Sequence, residues 1–246
     1  MNMTLHYDAK QLTNGQKPAV YYYNTDRQSW VYLGGKINSD GTVSVETKHF
    51  DTYAVFGNEP VVFSDMDGHW GSSSIERLAG MNVIRGYDDS LFHPNAQVTR
   101  VQFASMLAKS MGLDTSNEVQ KFTDASQIPT WAQADVAALV QAGFINGYSG
   151  IDGITFKPNQ VITRAEMATM LGKVLKAPSI SEPTPTSVNT FQDASSIPDW
   201  AGAEVNSLVE SGIIQGYGDQ TFRSNMHATR AEAATMLYKL LDALNI

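Results

Sequence analysis

Three arginines in this chain occupy equivalent places: Thr99-Arg100-Val101-Gln102, Thr163-Arg164-Ala165-Glu166 and Thr229-Arg230-Ala231-Glu232. A threonine three residues ahead of Glu or Gln, at the head of an apolar helical run, is a capping box. The hydroxyl accepts one backbone N–H of the first turn, and the longer side chain reaches back to another. That accounts for Thr99, Thr163 and Thr229 and leaves the arginines unexplained. At the first helical position a cation meets the positive end of the helix macrodipole, at a cost of up to about 1 kcal/mol. Two arrangements would offset it. One is an ion pair with an aspartate of a neighbouring copy, such as Asp124 or Asp193; the other is a bidentate grip on a ligand carboxylate or phosphate. Unpaired N–H groups at a helix start, with a guanidinium beside them, make an anion site. The residues alone leave both open.

The arginine elements must be held by the segments around them, and those segments repeat. Phe63-Ser64-Asp65, Phe122-Thr123-Asp124 and Phe191-Gln192-Asp193 open the copies, followed by Trp70, Trp131 and Trp200. A first helix is expected through Ile75-Leu78, Val136-Leu139 and Val205-Leu208, ending at Gly80, Gly143 and Gly212 in left-handed caps. A buried pair then leads into Gly86-Tyr87, Gly147-Tyr148 and Gly216-Tyr217, and a loop leads to the threonine–arginine element and a second helix. A tryptophan at a helix start reads as core, and a tyrosine in a glycine turn as a packed ring with a surface hydroxyl. If the ligand is a carbohydrate, both become surfaces for the apolar face of a sugar ring. The copies are joined by Gly112–Gln120 and by Ala177–Asn189, whose three prolines among serines and threonines read as an extended connection.

Residues 1–60 read differently. Ala19–Tyr23, Trp30–Leu33, Thr42–Thr47 and Thr52–Phe56 are β-branched and aromatic and are separated by turn residues, giving four or five strands of a small sheet or half a sandwich. An uncovered apolar sheet face needs a partner, so this segment reads as the tail of a larger β module. Met1–Leu12 has no signal-peptide pattern, and the chain is expected to be a piece of a longer exported protein.

Composition narrows the chemistry. At 246 residues with 42% hydrophobic and 17% charged residues the chain is of ordinary globular make-up, and no apolar run approaches a membrane span. A net charge of −8 with no basic run argues against nucleic acid, and any anion must be held by local geometry. The absence of cysteine excludes disulfides and thiolate metal sites. Asp65-Met66-Asp67-Gly68 starts like a calcium loop without the later ligands, the five histidines lack metal spacing, and Gly216-Tyr217-Gly218 lacks the third glycine of a dinucleotide loop. Acidic residues recur with the repeat and form no single asymmetric pair of the kind a glycan hydrolase needs. The expectation is therefore no enzyme, no cofactor and no metal.

The three copies, from about Val61 to Leu244, resemble S-layer homology domains, which anchor proteins to bacterial cell walls. The resemblance implies a mainly α fold: three helix-loop-helix repeats (61–117, 118–180, 181–246) in a pseudo-threefold arrangement with a central helical bundle, after a small all-β domain (1–60). It implies grooves between repeats that bind an anionic cell-wall polysaccharide, a pyruvate-ketal sugar of a peptidoglycan-linked polymer, with Arg100, Arg164 and Arg230 on the ketal carboxylate. Thr99, Thr163, Thr229, Gly86, Gly147, Gly216, Tyr87, Tyr148, Tyr217, Trp70, Trp131 and Trp200 are the further candidate binding residues. Copy one departs from the pattern at Val101 and Gln102, and copy three lacks the proline of Pro94 and Pro158 and carries Arg223 and His227. Unequal grooves are expected, with that of Arg164 the least altered. The segment Phe50–Phe56 is similar to the closing strand of a β module found before such repeats. The resemblance places the chain on a bacterial cell surface; self-association of the module is the alternative.

Overall fold

The computed structural model describes residues 2–13, 15–25, 28–47, 50–113, 122–176 and 191–244. The connection Ala177–Asn189 lies outside them, as does most of Gly112–Gln120. The chain divides into two compact units, Met1–His93 and Pro94–Leu244, with the boundary inside the first repeat.

In the first unit β-branched and aromatic alternation yields six strands: β1 Asn2–His6, β2 Lys17–Asn24, β3 Ser29–Gly34, β4 Lys36–Ile37, β5 Thr42–Glu46 and β6 Tyr53–Asn58. They form two three-stranded antiparallel sheets, ordered β1-β5-β4 and β3-β2-β6. Val20, Tyr22, Val31 and Leu33 of one sheet bury against Val43 and Val45 of the other. The expected uncovered face is therefore covered from within the segment, because β1, half-exposed and unremarkable in sequence, completes a second layer. Helix α1, Ser72–Gly80, packs on β3. A Cβ on Gly80 would lie 2.6 Å from the Tyr32 ring, so this glycine serves close approach. The left-handed residue after α1 is Asn82 (φ 58°), whereas Gly143 (φ 74°) and Gly212 (φ 71°) cap as expected. Asparagine is the non-glycine residue best suited to that conformation.

The second unit holds α2 Arg100–Met111, α3 Thr130–Gln141, α4 Arg164–Leu175, α5 Asp199–Glu210 and α6 Arg230–Leu244, with a short ribbon of β7 Tyr148–Gly150 and β8 Gly153–Thr155. The second helix of each copy packs on the first helix of the next, α2 on α3 and α4 on α5, while α6 touches both α2 and α4. Their apolar stripes, including Phe103, Leu107, Met167, Leu171 and Leu237, are fully buried.

Around the helix starts the backbone closes a ring. The N–H of Val98 donates to Ala228 O, that of Ala228 to Ile162 O, and that of Ile162 to Val98 O, at 3.0–3.1 Å. Short bridges flank it: Thr99 with Val161, Thr163 with His227, and Thr229 with Gln97. One segment from each copy thus supplies the hydrogen-bond partners that the other two lack.

Candidate functional site

All three capping boxes form. Thr99 Oγ1 accepts the N–H of Gln102 and its own N–H donates to Gln102 Oε1; Thr163 pairs with Glu166, and Thr229 with Glu232, in the same way. The remaining donors of the first turn do not stay free. The N–H groups of Arg100 and Val101 donate to Gln160 O and Pro158 O, those of Arg164 and Ala165 to Met226 O and Ser224 O, and those of Arg230 and Ala231 to Ala96 O and Pro94 O. The expectation of an anion site made of unpaired helix-start N–H groups is therefore corrected: neighbouring copies consume them. Ser224 gives its carbonyl as Pro94 and Pro158 do, so copy three needs no proline there.

What remains is side-chain chemistry. Arg100, Arg164 and Arg230 are 5%, 3% and 8% exposed. Arg100 Nε donates to Phe156 O at 2.9 Å, and Arg164 Nε to Phe222 O at 2.8 Å. Each guanidinium lies 4.6 Å from the ring centre of a turn tyrosine, Arg100 over Tyr148 and Arg164 over Tyr217, a favourable cation–π placement. The carbonyls that hold the arginines are themselves fixed by the opening motif. Asp124 accepts the N–H groups of Phe156 and Lys157, both at 2.7 Å, and Asp193 those of Phe222 and Arg223. Asp65 does the same for Phe92 and His93 in copy one. The aspartates suggested as arginine partners thus clamp backbone instead. They hold Lys157, Arg223 and His93 at φ of 56–60°, a strained conformation for side-chain-bearing residues.

The turn glycines are fixed by packing. A Cβ on Gly147 would meet Ile154 Cγ2 at 2.3 Å and the Phe122 ring at 2.8 Å; on Gly86 and Gly216 it would meet Phe63 and Phe191 at 2.6 and 2.5 Å. The tyrosine hydroxyls donate to the capping glutamates, Tyr148 to Glu166 and Tyr217 to Glu232, the latter at 2.5 Å. Burial, then the bond to Glu232, pushes the Tyr217 hydroxyl up to about 12, and burial, then the bond to Glu166, raises the Tyr148 hydroxyl above its ordinary value. Burial pulls Arg100 below its ordinary value, against the raising influence of Tyr148, Glu166 and Asp124.

The arginines then diverge. Arg164 Nη1 forms an ion pair with Glu232 Oε1 at 3.1 Å. Arg100 has no carboxylate within ion-pair distance among the described residues, and its terminal nitrogens have no hydrogen-bond partner there; Nε alone is bonded. Arg100 borders a cavity of ≈ 510 Å³ to which all three copies contribute: Phe144 to Tyr148, Glu166, Thr169, Met170 and Lys173 from copy two, Trp200 and Glu204 from copy three.

Of the candidates, Arg100, Gly147, Tyr148 and Trp200 meet in this cavity. The threonines serve as caps, and Trp70, Trp131 and Tyr87 are exposed and do not line this cavity. The tryptophans are not core, being 64%, 57% and 56% exposed at positions 70, 131 and 200. Sequence reading missed Asn146, Glu166, Thr169, Lys173 and Glu204. Glu166, Thr169, Met170 and Lys173 follow the i, i+3, i+4, i+7 spacing of one helix face, which was available as a signal. With one amide orientation, Asn146 accepts from Lys173 Nζ at 3.0 Å, so a second cation sits within the cavity wall. The arrangement presents a buried cation, an exposed indole, and amide, hydroxyl and carboxylate groups around one cavity.

A sequence model of the S-layer homology domain matches residues 62–104, 121–168 and 190–234, more than half of the chain. The chain is 34% identical over 228 residues to an amylopullulanase of Thermoanaerobacterium thermosulfurigenes, 92% of this chain and 12% of that protein. It is 33% identical to the S-layer protein sap of Bacillus anthracis over 70% of this chain and 20% of that one. With a cellulosome-anchoring protein of Acetivibrio thermocellus it shares 31% over 65% of this chain and 35% of that one. The chain therefore spans 12% to 35% of the length of these relatives.

Proposed function

This chain belongs to the S-layer homology domain family, and from that premise we propose that it is a non-catalytic module tying a bacterial surface protein to the cell wall. It does so by holding an anionic secondary polymer, with a pyruvate-ketal sugar at the contact, in the cavity beside Arg100. The observation that carries this reading is the Arg100 guanidinium: buried, fixed through Nε, and with terminal nitrogens that have no partner among the described residues, at a cavity large enough for sugar rings. A ketal carboxylate supplies the bidentate acceptor that such a fork needs. Trp200 covers a ring face, and Asn146 and Lys173 meet hydroxyl or acetamido groups. The anchoring role agrees with the names of the S-layer and cellulosome-anchoring relatives, and the amylopullulanase match is consistent with the same module tethering an enzyme. The closed exchange of hydrogen bonds between copies supports a pseudo-threefold body, and we assign the repeats to 61–117, 118–180 and 181–246 after a β domain over 1–60.

Calorimetry with a pyruvylated N-acetylmannosamine disaccharide and its unpyruvylated twin tests the reading. Binding of the first and not the second is expected; equal affinity for both, or none for either, rejects it. One observation favours a structural role for an arginine: Arg164 is paired within the chain to Glu232. If all binding is absent and the module forms oligomers without cell wall in sedimentation, the self-assembly reading replaces this one.

A further inference from the structure

We infer that Glu232 is a built-in competitor for the ligand at Arg164, so that an acidic sugar is excluded from the Arg164 site in the parent chain and taken at the Arg100 cavity. The inference rests on the anionic-glycan reading above and goes beyond it by saying which equivalent site works and what decides it.

The two arginines are placed alike, over Tyr148 and Phe156 in one case and over Tyr217 and Phe222 in the other, at 4.6 and 5.2 Å in both. They differ in their counter-ion. Glu232 Oε1 lies 3.1 Å from Arg164 Nη1, in a pair whose side chains are 3% and 14% exposed. It is tethered as well: Oε2 accepts the Thr229 N–H at 2.9 Å and Oε1 the Tyr217 hydroxyl at 2.5 Å. A ligand carboxylate reaching Arg164 would have to displace Glu232 from a shielded ion pair, and that pair is the one that Arg100 does not make with Glu166. Glu166 is held by the corresponding bonds to Thr163 and Tyr148 yet makes no ion pair with Arg100, whose terminal nitrogens have no partner among the described residues.

The chain contains the control for testing this. Gln102 stands at the third helical position of α2 and completes the capping box as the glutamates do, its Oε1 accepting the Thr99 N–H at 3.0 Å. Glu232→Gln therefore keeps the cap and removes the charge. With the pyruvylated disaccharide as probe, calorimetry of Glu232→Gln is expected to show one more bound equivalent than the parent, and adding Arg164→Gln to that variant removes the extra equivalent. In the parent, a titration followed through the arginine Nε–Hε resonances should shift Arg100 and leave Arg164 in place, a readout that needs no variant to fold. No added equivalent in a folded Glu232→Gln protein, or an Arg164 shift in the parent, overturns the inference. If the parent and the variant both ignore the disaccharide while binding cell wall, the glycan assignment has failed instead, which is a different result.

Discussion

Asp124 shows how one carboxylate shapes the proposed binding site from outside its lining. By taking the N–H groups of Phe156 and Lys157 it fixes the peptide whose carbonyl holds Arg100 Nε. Asp124→Ala strands two donors, one of them on a buried residue, and should cost about 1 to 3 kcal/mol in urea unfolding. It should also weaken disaccharide binding in calorimetry, because the guanidinium loses its mount. On the proposed reading Arg100→Ala acts directly: the loss of a charge-assisted contact should cost about 1.5 to 3 kcal/mol of disaccharide binding in calorimetry. The Asp193 clamp adds a pH dependence. Burial raises its carboxyl, but the N–H groups of Phe222 and Arg223 outweigh that and hold it below its ordinary value. A depressed folded pKa contributes stability that is present above the unfolded value of about 3.9 and is lost as pH falls through the folded one. Asp193→Asn should therefore lower stability at neutral pH and show a shallower loss below about pH 4 than the parent, measured by urea unfolding at several pH values.

At the scale of elements, helix ends decide most of the local fold. Asn82 ends α1 in a left-handed conformation that costs about 1 to 2 kcal/mol for an ordinary residue and little for glycine. Asn82→Ala should lower the thermal midpoint, and Asn82→Gly should leave it close to the parent. The same position explains a misreading, for the nearest glycine, Gly80, looked like the cap yet is required by the Tyr32 ring across the unit. Capping boxes were legible because their partners are three residues apart. The acceptors of the next two helix-start donors were not, because Gln160 O and Pro158 O lie about sixty residues from Arg100 and no local pattern announces a backbone carbonyl. The tryptophans misled by type: an indole is apolar enough to read as core, and its exposure depends on which helix packs beside it. Motif agreement ranked the Arg164 groove as the least altered, but what separates Arg164 from Arg100 is one ion pair to a glutamate of the next copy, which motif agreement does not reveal.

For the Pro94–Leu244 unit, the closed ring through Val98, Ala228 and Ile162 makes the copies mutually dependent. Copy three alone supplies the acceptors for the N–H groups of Val98, Arg164 and Ala165, and it receives its own from copies one and two. Val98, Ile162 and Ala228 are fully buried, so a missing copy leaves backbone groups unpaired where water does not reach, and each such loss costs about 1 to 3 kcal/mol. Copies joined this way should not unfold one at a time, unlike a linear array in which each repeat leans only on its neighbours. The expected result is one calorimetric transition for this unit, with the enthalpy from its shape equal to that from its area. A chain ending at Lys176 should lose amide protection at Val98 and at the start of α4 in hydrogen exchange, although α4 is present in full. Protection there equal to the parent's, or two separate transitions in the parent, would show that the ring carries little of the stability.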